Sequence, residues 1–215
     1  MNILILGPES RNKNIIEFLE SRNHNIDLTV ESITLALLKE KGIDFLLSFG
    51  YAPILKPPIT TEYRHRIVNI HPAYLPEGRG IHPNFWSFFE GKPKGVSIHF
   101  ILDAGIDTGD IIARKEVSFS DNETLRTTYA QLDREVEKLF FQVWDDIENG
   151  RCEPIPQEEL TDKYYYHNRT ESERFLDLFP RRWDTPVTEV EDMGADVFLS
   201  TQFWKNYERE IQAFV

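Results

Sequence analysis

An α/β fold with a mostly parallel sheet is predicted by three features of the 215-residue sequence. The runs Ile3-Leu4-Ile5-Leu6 and Phe45-Leu46-Leu47 are unbroken by polar residues, as in strands buried on both faces. Glycine or proline closes each run, at Gly7-Pro8 and at Gly50. Between such runs lie segments whose apolar residues recur at helical spacing. That alternation implies a Rossmann-like arrangement, with helices on both faces of the sheet.

The elements follow in order. Residues 3–6 form the first strand. Ile15, Ile16, Phe18 and Leu19 predict a helix over about residues 11–22. A short strand near 26–30 precedes a second helix, for which Ser32 is the expected cap and which carries Ile33, Leu35, Leu37 and Leu38. Residues 43–50 and 66–71 read as further strands, separated by Pro53, Pro57 and Pro58. Pro72, Pro76, Gly78 and Gly80 make residues 71–80 a loop. A helix over 83–90 bears Phe85, Trp86 and Phe89. Strands at 95–102 and 111–119 flank the loop 103–110, and residues 123–149 form a long amphipathic helix ended by Asn149-Gly150. The character changes after that point. Pro154, Pro156, Pro180 and Pro186 punctuate polar pieces, with aromatic residues at Tyr164-Tyr165-Tyr166 and from Phe198 to Trp204. The expected organisation is a main domain at 1–150 and a short C-terminal extension at 151–215, packed on that domain or on a partner. A homodimer would bury its scattered aromatics.

Composition narrows the class. Forty per cent of residues are hydrophobic, enough for a core. No apolar run approaches the roughly 20 residues of a membrane helix, so no membrane association is expected. The opening apolar stretch lacks a basic leader and a small-residue cleavage site. A single cysteine, Cys152, excludes an intrachain disulfide. These features fit a cytoplasmic protein. A net charge of −12 repels a phosphate backbone, so no nucleic-acid partner is expected. An anionic ligand must instead be met by local Arg, Lys or backbone N–H groups.

Three pieces carry candidate chemistry. Asn69-Ile70-His71-Pro72 ends a short strand, and alternation places Asn69 and His71 on one side of it. An amide and an imidazole that exchanges protons near neutral pH then share one spot. Ile106-Asp107-Thr108-Gly109-Asp110 lies in a loop, where a carboxylate can orient or charge a histidine. His99, in Ser97-Ile98-His99-Phe100, can reach the same pocket. Singly, each has a plain structural reading: a hydrogen-bonded histidine, or a turn built on Asp and Gly.

Together, Asn69-Ile70-His71-Pro72-Ala73-Tyr74-Leu75-Pro76-Glu77-Gly78-Arg79-Gly80 and the downstream Pro83, Trp86, Gly91, Gly95, His99 and Asp107-Thr108-Gly109 resemble the folate-dependent formyltransferases. That family includes the glycinamide ribonucleotide, methionyl-tRNA and nucleotide-sugar enzymes. The likeness covers about residues 1–118. It implies a formyltransferase fold, and Asn69, His71 and Asp107 as catalytic residues. It also implies formyl transfer from 10-formyltetrahydrofolate to a primary amine, with no metal. The Asn69 amide would serve the oxyanion, as would His71 if protonated, with Asp107 raising its proton affinity; which group moves which proton stays open. The pterin would sit against Tyr51, Ala52, Pro53 and Ile54 on one side and Asp103, Ala104, Gly105 and Ile106 on the other.

Substrate choice follows from departures. Gly7-Pro8-Glu9 is a poor phosphate loop, because proline lacks a donor and glutamate repels phosphate. Ser10, Arg11 and Lys13 could compensate. The resemblance favours a nucleotide-linked amino sugar, with Arg79, Gly80, His82, His99 and Tyr166 as substrate contacts and Arg169, Arg181 or Arg182 meeting phosphates. Three alternatives stand beside it: a glycinamide ribonucleotide-type enzyme, a formyltetrahydrofolate hydrolase, and a non-catalytic folate- or nucleotide-binding module. A metal hydrolase using His71, His82, His99, Asp103 and Asp107 lacks a compact ligand motif.

Overall fold

The structure, a computed structural model, describes residues 1–161 and 165–199. Six strands form one sheet: β1 (Asn2–Leu6), β2 (Asn25–Thr29), β3 (Phe45–Ser48), β4 (Ile67–His71), β5 (Gly95–Phe100) and β6 (Ile111–Glu116), in the order β2-β1-β3-β4-β5-β6. The helices are α1 (Glu9–Ser21), α2 (Leu35–Glu40), α3 (Ile59–Glu62), α4 (Pro83–Phe89), α5 (Leu125–Glu148), α6 (Arg169–Leu176) and α7 (Val187–Leu199).

Strand alternation explains the layers. Ile3 and Ile5 of β1 join Ile15 and Leu19 of α1 and Val136 and Phe140 of α5 in one core. Leu4 and Leu6 face the opposite core, with Leu38 of α2 and Ile59 of α3. The four strands β2, β1, β3 and β4 are parallel, while β5 runs antiparallel to both β4 and β6. The sheet is therefore mixed but mostly parallel. Thr34, rather than Ser32, caps α2. Its backbone is extended, and its Oγ1 accepts the Leu37 N–H at 3.2 Å, so Ile33 lies outside the helix.

A third apolar cluster holds Phe85, Trp86 and Phe89 of α4 against Leu176, Phe179 and Val190 from beyond residue 150. At Gly194 an added Cβ would lie 1.9 Å from the Phe89 carbonyl oxygen, so only glycine lets α7 approach α4 this closely. The described residues beyond 150 thus return to the main body by packing and by short bridges at Ile111–Ile155, Gly80–His167 and Thr124–Pro186. Tyr164 and residues 200–215, which carry part of the expected aromatic surface, lie outside the described residues. Among the described residues no helix is long and apolar enough to cross a membrane.

Candidate active site

β4 aims the first two groups. Val68 and Ile70 point into the core shared with α1 and α5, so Asn69 and His71 point the other way, at the C-terminal end of the strand. The antiparallel neighbour β5 places His99 directly opposite Asn69. The loop after β5 brings in Asp107, which adopts the left-handed conformation at φ 53°. Aspartate tolerates this better than most residues. Two positions on, Gly109 lies against β5, where a Cβ would meet the Phe100 carbonyl oxygen at 1.9 Å.

The polar contacts form a connected set. Asn69 Nδ2 lies 3.0 Å from His99 Nε2 and donates to Asp107 Oδ1 at 3.3 Å. Asp107 Oδ2 accepts the Gly80 N–H at 2.9 Å and lies 3.8 Å from His71 Nε2. His71 Nε2 is 2.9 Å from the Gly78 carbonyl oxygen. A carbonyl only accepts, so Nε2 bears the proton and Nδ1 keeps its lone pair in the neutral ring. By the same logic His99 donates Nδ1–H to the Phe100 carbonyl oxygen at 2.8 Å and accepts the Asn69 amide at Nε2.

Electrostatics then divides the roles. Burial alone would raise the Asp107 carboxyl, yet the neighbouring His71 and His99 rings and the Gly80 N–H hold it well below the usual carboxylate range. His71 is 6% exposed, and burial pushes its imidazole below the ordinary histidine value despite Asp107 beside it. The donor role that depends on a protonated His71 is therefore disfavoured at neutral pH. The resting pair is a carboxylate and a neutral imidazole.

These groups line a cleft of about 540 Å³. Of the residues expected at a pterin, Tyr51, Ala52, Pro53, Ile54, Asp103, Gly105 and Ile106 line it, whereas Ala104 is exposed and does not. Of those expected at an acceptor, Gly80, His82 and Tyr166 line it. Arg79 and His99 do not. Arg79 is 2% exposed and its guanidinium holds Gln157 Oε1 through Nε at 3.0 Å and a second nitrogen at 2.5 Å. His99 is buried beneath Asn69, where it orients that amide. Arg11 reaches the cleft, but its charge is engaged by Asp133, by Tyr129 and by the Phe49 ring. Arg181 pairs with Glu189, and Arg182 with Glu173 and Asp177. Arg169 remains on the cleft wall. Among the described residues, no three His, Cys, Asp or Glu side chains are placed to hold a metal ion.

Gln157 is a site residue that sequence reasoning missed. Its Nε2 donates to the carbonyl oxygens of Asp107 at 2.9 Å and Gly109 at 2.7 Å, so a residue 50 positions away sets the backbone that carries the carboxylate. Gln157→Glu keeps a partner for Arg79 but removes both donors. Each hydrogen bond is worth about 1 kcal/mol, so stability should fall by about 2 kcal/mol or more and kcat roughly tenfold or more. Steady-state kinetics with a parallel melting curve checks this. An unchanged kcat would show that Gln157 does not position the carboxylate.

Comparison with known proteins agrees with this geometry. Residues 6–144 match the family model described as formyl transferase, and the chain belongs to that family. It is 30% identical over 131 residues to methionyl-tRNA formyltransferase of a Synechocystis species, covering 61% of this chain and 40% of that protein. The corresponding enzyme of Pelotomaculum thermopropionicum is 28% identical over 156 residues, covering 72% and 47%. The matches therefore span less than half the length of these relatives. Among solved structures, the formyltransferase PseJ from Anoxybacillus kamchatkensis is 39% identical, with a TM-score of 0.83 over 90% of this chain and 100% of that one. It was solved in complex with UDP-4,6-dideoxy-4-formamido-L-AltNAc and tetrahydrofolate. A sugar N-formyltransferase from a Shewanella species shares the fold, with a TM-score of 0.71 at 20% identity, over 91% and 87% of the two chains.

Proposed function

We propose that this protein transfers a formyl group from 10-formyltetrahydrofolate to the primary amine of a nucleotide-linked amino sugar. The observation that carries the reading is the convergence of Asn69, His71 and Asp107 at one end of β4, on the wall of an open cleft of the size that holds small-molecule ligands. The likeness to PseJ along that protein's whole length supports the acceptor class, since a 4-formamido group is what formyl transfer to a 4-amine leaves behind. The net charge of −12 argues against tRNA as acceptor.

The chemistry follows from the contacts. The amine nitrogen attacks the formyl carbon, and negative charge develops on the formyl oxygen. The Asn69 amide is the donor nearest at hand, because its hydrogen bond to Asp107, at 3.3 Å, is long and readily exchanged. The Asp107 carboxylate, ionised and fixed by Gly80, stabilises the positive charge that develops on the attacking amine, and a water held by it carries the amine proton toward N10. The neutral His71 ring keeps a basic lone pair on Nδ1. The bond from the formyl carbon to N10 of the folate then breaks, and N10 takes a proton. Net, one C–N bond forms, one breaks, and one proton passes from the amine to N10. The Tyr51–Ile54 and Asp103–Ile106 segments border the cleft where the pterin would lie, with backbone donors and acceptors for its edge.

Incubation with 10-formyltetrahydrofolate and a panel of UDP- and dTDP-linked amino sugars tests the proposal. A sugar product heavier by one formyl group, with stoichiometric tetrahydrofolate, is the expected result. Formate release without sugar modification would replace the transferase reading with hydrolysis. Folate binding with no turnover on any acceptor would leave a binding module.

A further inference from the structure

One wall of the cleft comes from beyond residue 150, through Tyr166, Asn168 and Arg169. It is laced to the loop after β4: the His167 N–H donates to the Arg79 carbonyl oxygen at 3.1 Å, and the Ile81 N–H to that of His167 at 2.8 Å. Gly80, at φ 92°, permits this contact, since a Cβ there would stand 2.2 Å from the His167 carbonyl oxygen. Behind the wall the His167 ring, 1% exposed, lies flat on the Trp86 indole, with centroids 3.5 Å apart and planes 5° from parallel.

The hydrogen-bond logic around that ring fixes its charge. Tyr165 donates its single proton to Glu171 Oε1 at 2.7 Å, so its oxygen accepts from His167 Nδ1 at 2.8 Å. The other nitrogen, Nε2, faces Glu90 Oε1 at 3.2 Å, and Glu171 Oε2 lies 3.3 Å from Nδ1. Nδ1 therefore carries a proton; Nε2 makes no aligned hydrogen bond, but the buried Glu90 carboxylate 3.2 Å away favours a proton there as well, so the ring sits as a cation between two carboxylates. Glu90, just past α4, Glu171 of α6 and Tyr165 are the titratable groups that face it among the described residues. Burial lowers its proton affinity, but the accepting carboxylates of Glu171 and Glu90 outweigh this and hold it above the ordinary histidine value.

We propose that His167 is a positioning residue for the acceptor: a buried imidazolium, clasped between Glu90 and Glu171 and stacked on Trp86, that holds the 165–169 wall against the loop after β4. The inference rests on the amino-sugar reading, because the wall bounds the acceptor's side of the cleft. The His167 ring touches none of Asn69, His71 and Asp107, and its backbone reaches Asp107 only through Gly80, so its loss acts chiefly on acceptor binding. The sign of the pH effect follows. A raised value means the clasp is intact at and below the ordinary histidine range, near 6.5, and is released as pH rises through the raised value.

Two measurements on the full chain test this. In a ¹H–¹⁵N imidazole spectrum, His167 should show two protonated nitrogens at neutral pH; a neutral ring there would overturn the proposal. His167→Phe keeps the stack on Trp86 and removes the charge-assisted bonds. It should raise the acceptor KM about tenfold, in line with losing bonds of this kind, with a smaller change in kcat and the folate dissociation constant unchanged. The wild-type rise in acceptor KM at alkaline pH should vanish in that variant. Glu90→Gln, a milder change, should shift KM in the same direction by less. A fall in kcat at constant KM in both variants would reject the assignment. If the wild-type protein modifies no amino sugar at all, the functional reading falls and this inference with it.

Discussion

Replacing His71 by Ala should lower kcat by about two to four orders of magnitude, the span for loss of a positioned acid–base group, while folate binding persists. The expectation comes from where β4 puts the side chain. Val68 and Ile70 anchor the strand in the core, so truncation at His71 leaves the β4 backbone in place. What is lost is a neutral imidazole whose Nε2–H is fixed on the Gly78 carbonyl and whose Nδ1 is basic. Single-turnover measurement of folate release, beside a direct folate titration, separates the two effects. Turnover near that of the wild type would remove His71 from the catalytic set.

Asp107→Asn should produce a loss of similar size with a second signature in pH. The amide oxygen can still accept the Gly80 N–H, so the loop keeps its shape, but the negative charge beside His71 disappears. That charge counteracts burial in setting the His71 imidazole. Without it the ring falls further below the ordinary histidine value, and the acid limb of the pH–rate profile that reports His71 should move to lower pH. Stability should change in step. A depressed carboxylate contributes stability that is present above its unfolded value, near 3.8, and is lost as pH falls through the folded one. The variant should therefore lose part of the wild type's sensitivity to acid. A profile superimposable on the wild type's would break the proposed coupling of the two residues.

Much of this was legible in the sequence because it is local. Unbroken apolar runs marked β1 and β3, and a period of two put Asn69 and His71 on one side of β4. The resemblance to the folate-dependent formyltransferases, rather than any local pattern, pointed to Asp107. Contacts between distant segments left no periodic trace. Nothing near Arg79 announces that its guanidinium is buried on Gln157, 78 residues later, so it read as a substrate contact. His99 misread for a related reason: its place depends on the antiparallel register of β5 against β4, which apolar patterning does not encode. Arg11, at the start of α1, looked available to phosphate, yet Tyr129 and Asp133 of α5 claim it across more than a hundred residues. The cap at Thr34 instead of Ser32 is a finer error, decided by two residues of backbone conformation.

The placement of Gln157 and His167 has a consequence for the order in which the protein comes into being. The motif from Asn69 to Asp107 leaves the ribosome well before the segment that braces it. Until residues 157–169 have been synthesised, the Asp107 and Gly109 carbonyls lack the Gln157 donor, and one side of the cleft does not exist. α7 must then dock its Gly194 on α4 to close the aromatic cluster. A nascent chain therefore carries its whole catalytic signature for some time without a working site, and catalytic competence is acquired late, when the described residues beyond 150 fold back onto the strand ends.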